Sequence, residues 1–336
     1  MITAIGQSTQ PNPLPDWRQS LRDAVTDPRE LLALVGLPHI ADRLPVADAG
    51  FALKVPRGFV ARMRRGDPDD PLLRQVLPQL AECEDVPGFV DDAVGDLGAV
   101  QAHGVLHKYH GRALLIAAGS CAVNCRYCFR RHFPYAEELA AAHAWREAVA
   151  CLAADTSLRE VILSGGDPLV LSTQKLTDLT DALRDLPHVI RLRIHSRLPV
   201  VLPERIDDGF CDWLSALPLQ RVVVLHANHP AELDASVGAA CGRLRAAGAT
   251  LLNQSVLLRG INDDAEVLAA LSERLFALGV LPYYLHQLDR VRGTSHFEVP
   301  DGRARTLAGL LRGRLPGYLV PRLVREVPGE YAKRAL

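Results

Sequence analysis

Lysine is scarce in this 336-residue chain: Lys54, Lys108, Lys175 and Lys333 stand against 34 arginines. Genome composition explains that imbalance better than function does, but it shortens any search for a catalytic amine. Aromatics are thin at 5%, and the formal net charge is −1. The chain therefore lacks both the basic field that tracks phosphates and the rings that stack bases, and no nucleic-acid partner is expected. The opening residues MITAIGQSTQPNPLPDW have no charged stretch followed by an apolar one, so no secretory leader is read there. Apolar runs such as 222–225 are far shorter than a membrane span; a cytoplasmic protein without a membrane partner is expected. A disulfide framework is excluded too. The cysteine count of seven is odd, three crowd into 121–128, and Cys83, Cys151, Cys211 and Cys241 lie scattered among apolar or helical neighbours.

What is present suits a globular enzyme, with 48% hydrophobic and 23% charged residues. The first hundred residues read as helical and loop-rich. Asp27-Pro28-Arg29-Glu30 before LLALV is a helix start, with Asp27 capping, Pro28 in the first turn and Glu30 reaching back. Residues 66–71 (GDPDDP) read as a turn. From about residue 113, short apolar runs alternate with helical stretches. Candidate strands begin near Ala113, Glu160, Val189, Arg221, Ala249 and Val280, with crossover helices at 141–154, 173–186, 231–247 and 264–278. Four of the five strand spacings lie close to the roughly 30 residues of a βαβ unit. The expectation is an α/β fold built on a partial (β/α)6 barrel over 106–300. A helical region (1–105) precedes it, and a C-terminal helix and tail (301–336) cover its mouth. Chemistry in such sheets sits at the C-terminal ends of the strands.

The first barrel strand runs into GSCAVNCRYC, a C-x3-C-x2-C loop of Cys121, Cys125 and Cys128. Three thiolates can hold three irons of a [4Fe–4S] cubane and leave the fourth iron open. An open iron can chelate the amino and carboxylate groups of S-adenosylmethionine, whose reductive cleavage gives a 5′-deoxyadenosyl radical. A Cys3His zinc site using His132, as in a nucleic-acid-binding protein, is the alternative, and Arg126, Arg130 and Arg131 favour the electropositive cluster setting over buried structural thiols. A third possibility is a radical enzyme with another substrate and no pyridoxal phosphate.

The run CAVNCRYCFRRHFPY, with LHKYHGR before it and SGGDPL after it, resembles the radical S-adenosylmethionine aminomutases of the lysine 2,3-aminomutase family. The likeness continues through RLRIHSRLPVVLPERI, HANHPAE, LLNQSVLLRGINDD and PYYLHQLDRVRGTSHF. The short length and wording are most similar to the branch that makes (R)-β-lysine for elongation factor P. The resemblance implies a radical S-adenosylmethionine barrel with Cys121, Cys125 and Cys128 as cluster ligands. It places Gly165, Gly166 and Asp167 by the amino group of S-adenosylmethionine, and His226 and Gln254 on the same cofactor. It makes Lys333 the lysine that binds pyridoxal phosphate, and Tyr109 and Arg112 the grip on its phosphate. For L-lysine it implies Arg130 on the carboxylate and Asp289 on the ε-ammonium. Glu326 is the second acid it implies for the substrate, standing where the better-known members have the shorter Asp. The implied reaction joins the substrate α-amine to the cofactor as an aldimine, removes a β-hydrogen with the deoxyadenosyl radical, and migrates the nitrogen. A homo-oligomer, a flavodoxin-type reductant and a downstream lysyl ligase acting on elongation factor P are the partners it implies.

Overall fold

The computed structural model describes residues 16–45, 51–137, 139–140 and 145–336. Ten strands form one sheet in sequence order: β1 (Val100–Ala102), β2 (Val105–Tyr109), β3 (Arg112–Ala118), β4 (Glu160–Gly165), β5 (Arg191–Ser196), β6 (Gln220–Leu225), β7 (Thr250–Val256), β8 (Leu281–His286), β9 (Arg322–Arg325) and β10 (Arg334–Ala335). Strands β3 to β9 pair in parallel, while β1–β2–β3 and β9–β10 pair antiparallel. The six expected strands are β3 to β8. Every residue of β4 is buried, as expected of a strand covered on both faces.

Helices fill the crossovers. Thr173–Arg184 and Ala265–Ala277 fall where the sequence places them. The expected helix at 231–247 divides into a short turn, Pro230–Glu232, and the helix Ala235–Ala246, with Asp234 capping the second piece through Val237 N at 3.0 Å. Arg146–Ala154 is helical, and the expected start of that helix, 141–144, lies outside the described residues. A crossover helix that sequence reading did not place, Asp208–Ala216, joins β5 to β6 and buries Phe210, Trp213 and Leu214.

The N-terminal region is made of short helices, including Trp17–Arg22, Pro28–Leu34, Arg57–Val60 and Pro71–Arg74. Asp27 caps the second through Arg29 N at 2.8 Å, but Glu30 does not reach back; it pairs with Arg57 instead. This region shares one apolar core with the barrel, in which Trp17, Leu31, Phe59 and Leu72 pack with residues of β3 to β7. It also braces the cysteine loop by backbone: Asn124 N donates to Lys54 O (2.9 Å) and Arg126 N to Gln75 O (2.9 Å).

The sheet does not close on itself by strand pairing. Polar side chains span the gap instead, since Tyr109 OH on β2 donates to Glu326 Oε1 just past β9 at 2.5 Å. The strands β9 and β10, read from sequence only as a tail, thus carry Glu326 and Lys333 to the same cavity as the barrel strands. No helix among the described residues is long and apolar enough to cross a membrane.

Candidate active site

A cavity of about 960 Å³ runs through the barrel. All fourteen residues to which the family resemblance gave a role line it, although they come from nine different segments of chain. Cys121, Cys125 and Cys128 follow β3, Gly165 ends β4 with Gly166 and Asp167 behind it, and His226 follows β6. Gln254 lies in β7, Asp289 follows β8, Glu326 follows β9 and Lys333 precedes β10. Arg112 opens β3, so it stands roughly 20 Å along that strand from the cysteine end. The cavity therefore has a cysteine end and an arginine end.

At the cysteine end burial, with the neighbouring thiols adding to it, pushes Cys128 up to about 11 and Cys121 well above its ordinary value. A thiophilic metal reverses that cost by binding the thiolate, so this donor set fits a cluster. His132 is not a fourth ligand here: its ring turns outward to Arg292 O (3.3 Å), away from the cavity. The expected electropositive setting is supplied differently from the sequence reading. Arg126 and Arg131 both end on the buried Glu82, at 2.8 Å each, which neutralises much of their charge. Arg197, which sequence reasoning missed, instead donates from Nη1 to Cys125 Sγ and to Tyr127 OH, both at 2.6 Å. Glu232 (3.1 Å) and Gln75 (2.8 Å) hold its other nitrogen.

The Gly-Gly-Asp turn is explained by crowding. Gly165 has φ +115°, and a Cβ on Gly166 would sit 2.4 Å from Ser120 O, so only glycines let this turn lie against the cysteine loop. Gly166→Ala should cost about 1–3 kcal/mol of stability and lower iron retention, read by thermal melting and iron assay. Asp167 lines the cavity behind these glycines. Its carboxylate already accepts from Leu169 N (3.0 Å), Ser196 Oγ (2.8 Å), Arg197 N (2.7 Å) and Leu198 N (3.2 Å). It ties the β4 and β5 loops together, and burial pushes it up to about 6. Gly165, Gly166, Asp167, His226 and Gln254 all line the cavity. His226 Nε2 accepts from Gln254 Nε2 at 2.8 Å, and burial lowers this imidazole to about 3, so it is neutral.

Within the cavity Lys333 Nζ pairs with Glu326, which also accepts from Tyr109 and lies 3.7 Å from Lys108 Nζ. Those cations, Lys333 first, hold Glu326 below the usual carboxylate range despite burial. Asp289 has no such partner among the described residues, and burial pushes it up to about 7. Arg130 is buried, with Nε on Asp96 (2.6 Å) and Nη1 on Ser164 Oγ (3.1 Å).

At the arginine end, the Arg112 guanidinium lies 4.7 Å from the centre of the Tyr109 ring. The Tyr109 hydroxyl is taken by Glu326, so this residue faces Arg112 with its ring only. Arg193 pairs through Nη2 with Glu160 and keeps a buried Nε with no partner, and both arginines act on the Tyr283 phenol. A phosphate supplies the acceptors that such donors lack. The residues thus fit a cofactor with a phosphate at one end and a carbonyl near Lys333.

Residues 110–189 match the model of a 4Fe–4S single cluster domain. The chain is 50% identical to the L-lysine 2,3-aminomutase of Escherichia coli strain K12, over 96% of this chain and 94% of that protein. It is 46% identical to the L-lysine 2,3-aminomutase of Haemophilus influenzae, over 94% of each. A solved radical SAM methyltransferase from Sphaerobacter thermophilus aligns at 18% identity and a TM-score of 0.47, over 66% of this chain and 68% of its own.

Proposed function

The chain belongs to the L-lysine 2,3-aminomutase family, and from that premise we propose that it converts L-lysine to (R)-β-lysine with a [4Fe–4S] cluster, S-adenosylmethionine and pyridoxal phosphate. The observation that carries this reading is the single cavity holding the three cysteines, Lys333, Arg130, Asp289 and Glu326. When bound, the cluster and S-adenosylmethionine supply a deoxyadenosyl radical, and pyridoxal phosphate supplies a π-system for the migrating nitrogen.

The residues of the chain do the positioning. Cys121, Cys125 and Cys128 would hold three irons, and Gly165, Gly166, His226 and Gln254 would take S-adenosylmethionine. Arg112, with Arg193 and Tyr283 beside it, would hold the phosphate, and Lys333 Nζ the carbonyl carbon. Arg130 would bind the α-carboxylate and Asp289 the ε-ammonium, opposite charges for the two ends of one cationic amino acid. Glu326 keeps a proton on Lys333 Nζ when that lysine is free, and takes it up with Tyr109 and Lys108 as neighbours when the amine is engaged. Leu106, Leu114, Ile162 and Val256 give the cavity apolar walls, which exclude water from a radical.

Supplying a lysyl ligase that modifies elongation factor P, a flavodoxin-type reductant, a homo-oligomeric state and a cytoplasmic location extend the same proposal. Support for them is the sequence likeness to that branch. The division into a helical region 1–105, a barrel 106–300 and a C-terminal helix and tail 301–336 is part of the same proposal.

Asp289 gives the proposal a pH signature. A carboxyl raised to about 7 is protonated below that value and cannot pair with an ammonium. Lysine affinity should therefore fall as pH drops through about 7, by up to about tenfold per unit. Titrations of the reconstituted enzyme on either side of that value check this, and Asp289→Asn should flatten the profile.

The function itself is tested by anaerobic reconstitution and reduction, addition of S-adenosylmethionine, pyridoxal phosphate and L-lysine, and chiral chromatography with mass spectrometry. (R)-β-Lysine formed with catalytic use of S-adenosylmethionine supports the proposal. Deoxyadenosine without β-lysine would keep the radical chemistry and overturn the substrate.

A further inference from the structure

Asp96 belongs to no motif, yet it is 2% exposed and holds two cations. It precedes the short turn Leu97–Ala99 just ahead of β1, where an aspartate ordinarily caps the helical turn that follows it. It makes no such cap. Asp92 takes that task, accepting from Asp96 N at 2.9 Å and Leu97 N at 3.0 Å. This fixes the backbone and leaves the Asp96 carboxylate to turn inward. One oxygen accepts from Arg130 Nε and the other from Lys108 Nζ, each at 2.6 Å. These two cations hold it below the usual carboxylate range against the opposing effect of burial.

Two consequences follow from charge and from hydrogen-bond inventory. One carboxylate between two cations leaves this buried triad with a net charge of +1. The guanidinium spends Nε on Asp96 and one Nη1 proton on Ser164, so Nη2 has no partner among the described residues. Fixing Nε leaves Nη2 and the second Nη1 proton to donate to a carboxylate. Without Asp96, Lys108 and Arg130 would repel each other in a poorly solvated site and the guanidinium would lose its anchor.

We propose that Asp96 is a positioning residue that aims Arg130 at the α-carboxylate of the substrate, with Lys108 keeping the site one negative charge short of neutrality. This rests on the reading of Arg130 given above. It makes Asp96 a determinant of specificity for substrates that keep a carboxylate, while touching no substrate atom.

The test compares two ligands on the reconstituted holoenzyme: L-lysine, and 1,5-diaminopentane, which keeps both amines and lacks the carboxylate. Asp96→Asn keeps the side-chain shape and removes the charge. It should weaken equilibrium binding of lysine by about thirty-fold or more, leave binding of the diamine nearly unchanged, and raise KM more than it lowers kcat. Asp96→Glu restores the charge at a displaced point and should recover part of the loss for lysine alone. Thermal melting and iron content report whether each variant is intact. If Asp96→Asn does not fold, Asp96→Glu decides: it must impair lysine binding and spare the diamine. Equal weakening of both ligands would mean a structural role only and overturn the proposal, as would unchanged lysine binding. Wild-type enzyme that binds the diamine but not lysine would instead remove Arg130 as the carboxylate clamp, and the role of Asp96 with it.

Discussion

Anaerobically reconstituted Cys125→Ala protein is expected to hold little iron or sulfide and to form no β-lysine, while melting close to the wild type. A cubane needs three thiolates from this loop; two cannot retain it. Cys125 is also the cysteine whose sulfur accepts from Arg197, so its loss removes both an iron ligand and the partner of a buried guanidinium. The melting temperature should be spared because Glu232 and Gln75 still hold Arg197, and because removing one small side chain opens little cavity. Cys83→Ala, at an exposed position away from the cavity, is the control and should keep full iron content and turnover. Normal iron in Cys125→Ala protein would show that the loop is not the cluster site.

The second large effect is expected at Lys333. Lys333→Ala should lose turnover by about three orders of magnitude or more, and borohydride should no longer trap pyridoxal phosphate on the C-terminal peptide, while iron content stays normal. The other lysines are placed against this role. Lys108 is committed to Asp96 and to Val94 O (2.7 Å), Lys175 is exposed on the helix Thr173–Arg184, and Lys54 is absent from the cavity wall. A lysine three residues from a chain end is ordinarily solvated. Here the pairing of Arg334 with Arg325 and Ala335 with Val324 folds the tail back as β10 and delivers the amine to Glu326. Trapping on Lys108 instead would reassign the cofactor lysine.

The barrel strands were legible because each is a short apolar run at βαβ spacing, and the cysteine loop because its three residues are adjacent in sequence. Strands β9 and β10 were not. Arg322–Arg325 alternates charge with apolar residues and β10 has two residues, too little pattern to separate a strand from a tail. The hairpin β1–β2 hides in the same way within VQAHGVLHKY. Asp96, Glu82 and Arg197 escaped for another reason: each acts on a partner 34 to 72 residues away, and no local spacing encodes such a pair. The charge of Arg126 and Arg131 misled for the same reason, since the neutralising Glu82 is distant in sequence and was not connected to them. Asp167 shows the limit of a motif. Its position was readable, while the four donors that occupy its carboxylate were not.

The central claim is that a radical made at the cysteine end meets a substrate held at Arg130 and Asp289 within one cavity. The most direct measurement supplies L-lysine deuterated at its β-carbon to the reconstituted enzyme, then analyses recovered S-adenosylmethionine and product by mass spectrometry. The account predicts deuterium in the deoxyadenosyl group of recovered S-adenosylmethionine and at the α-carbon of β-lysine. β-Lysine formed with no deuterium passing to the adenosyl group would contradict it.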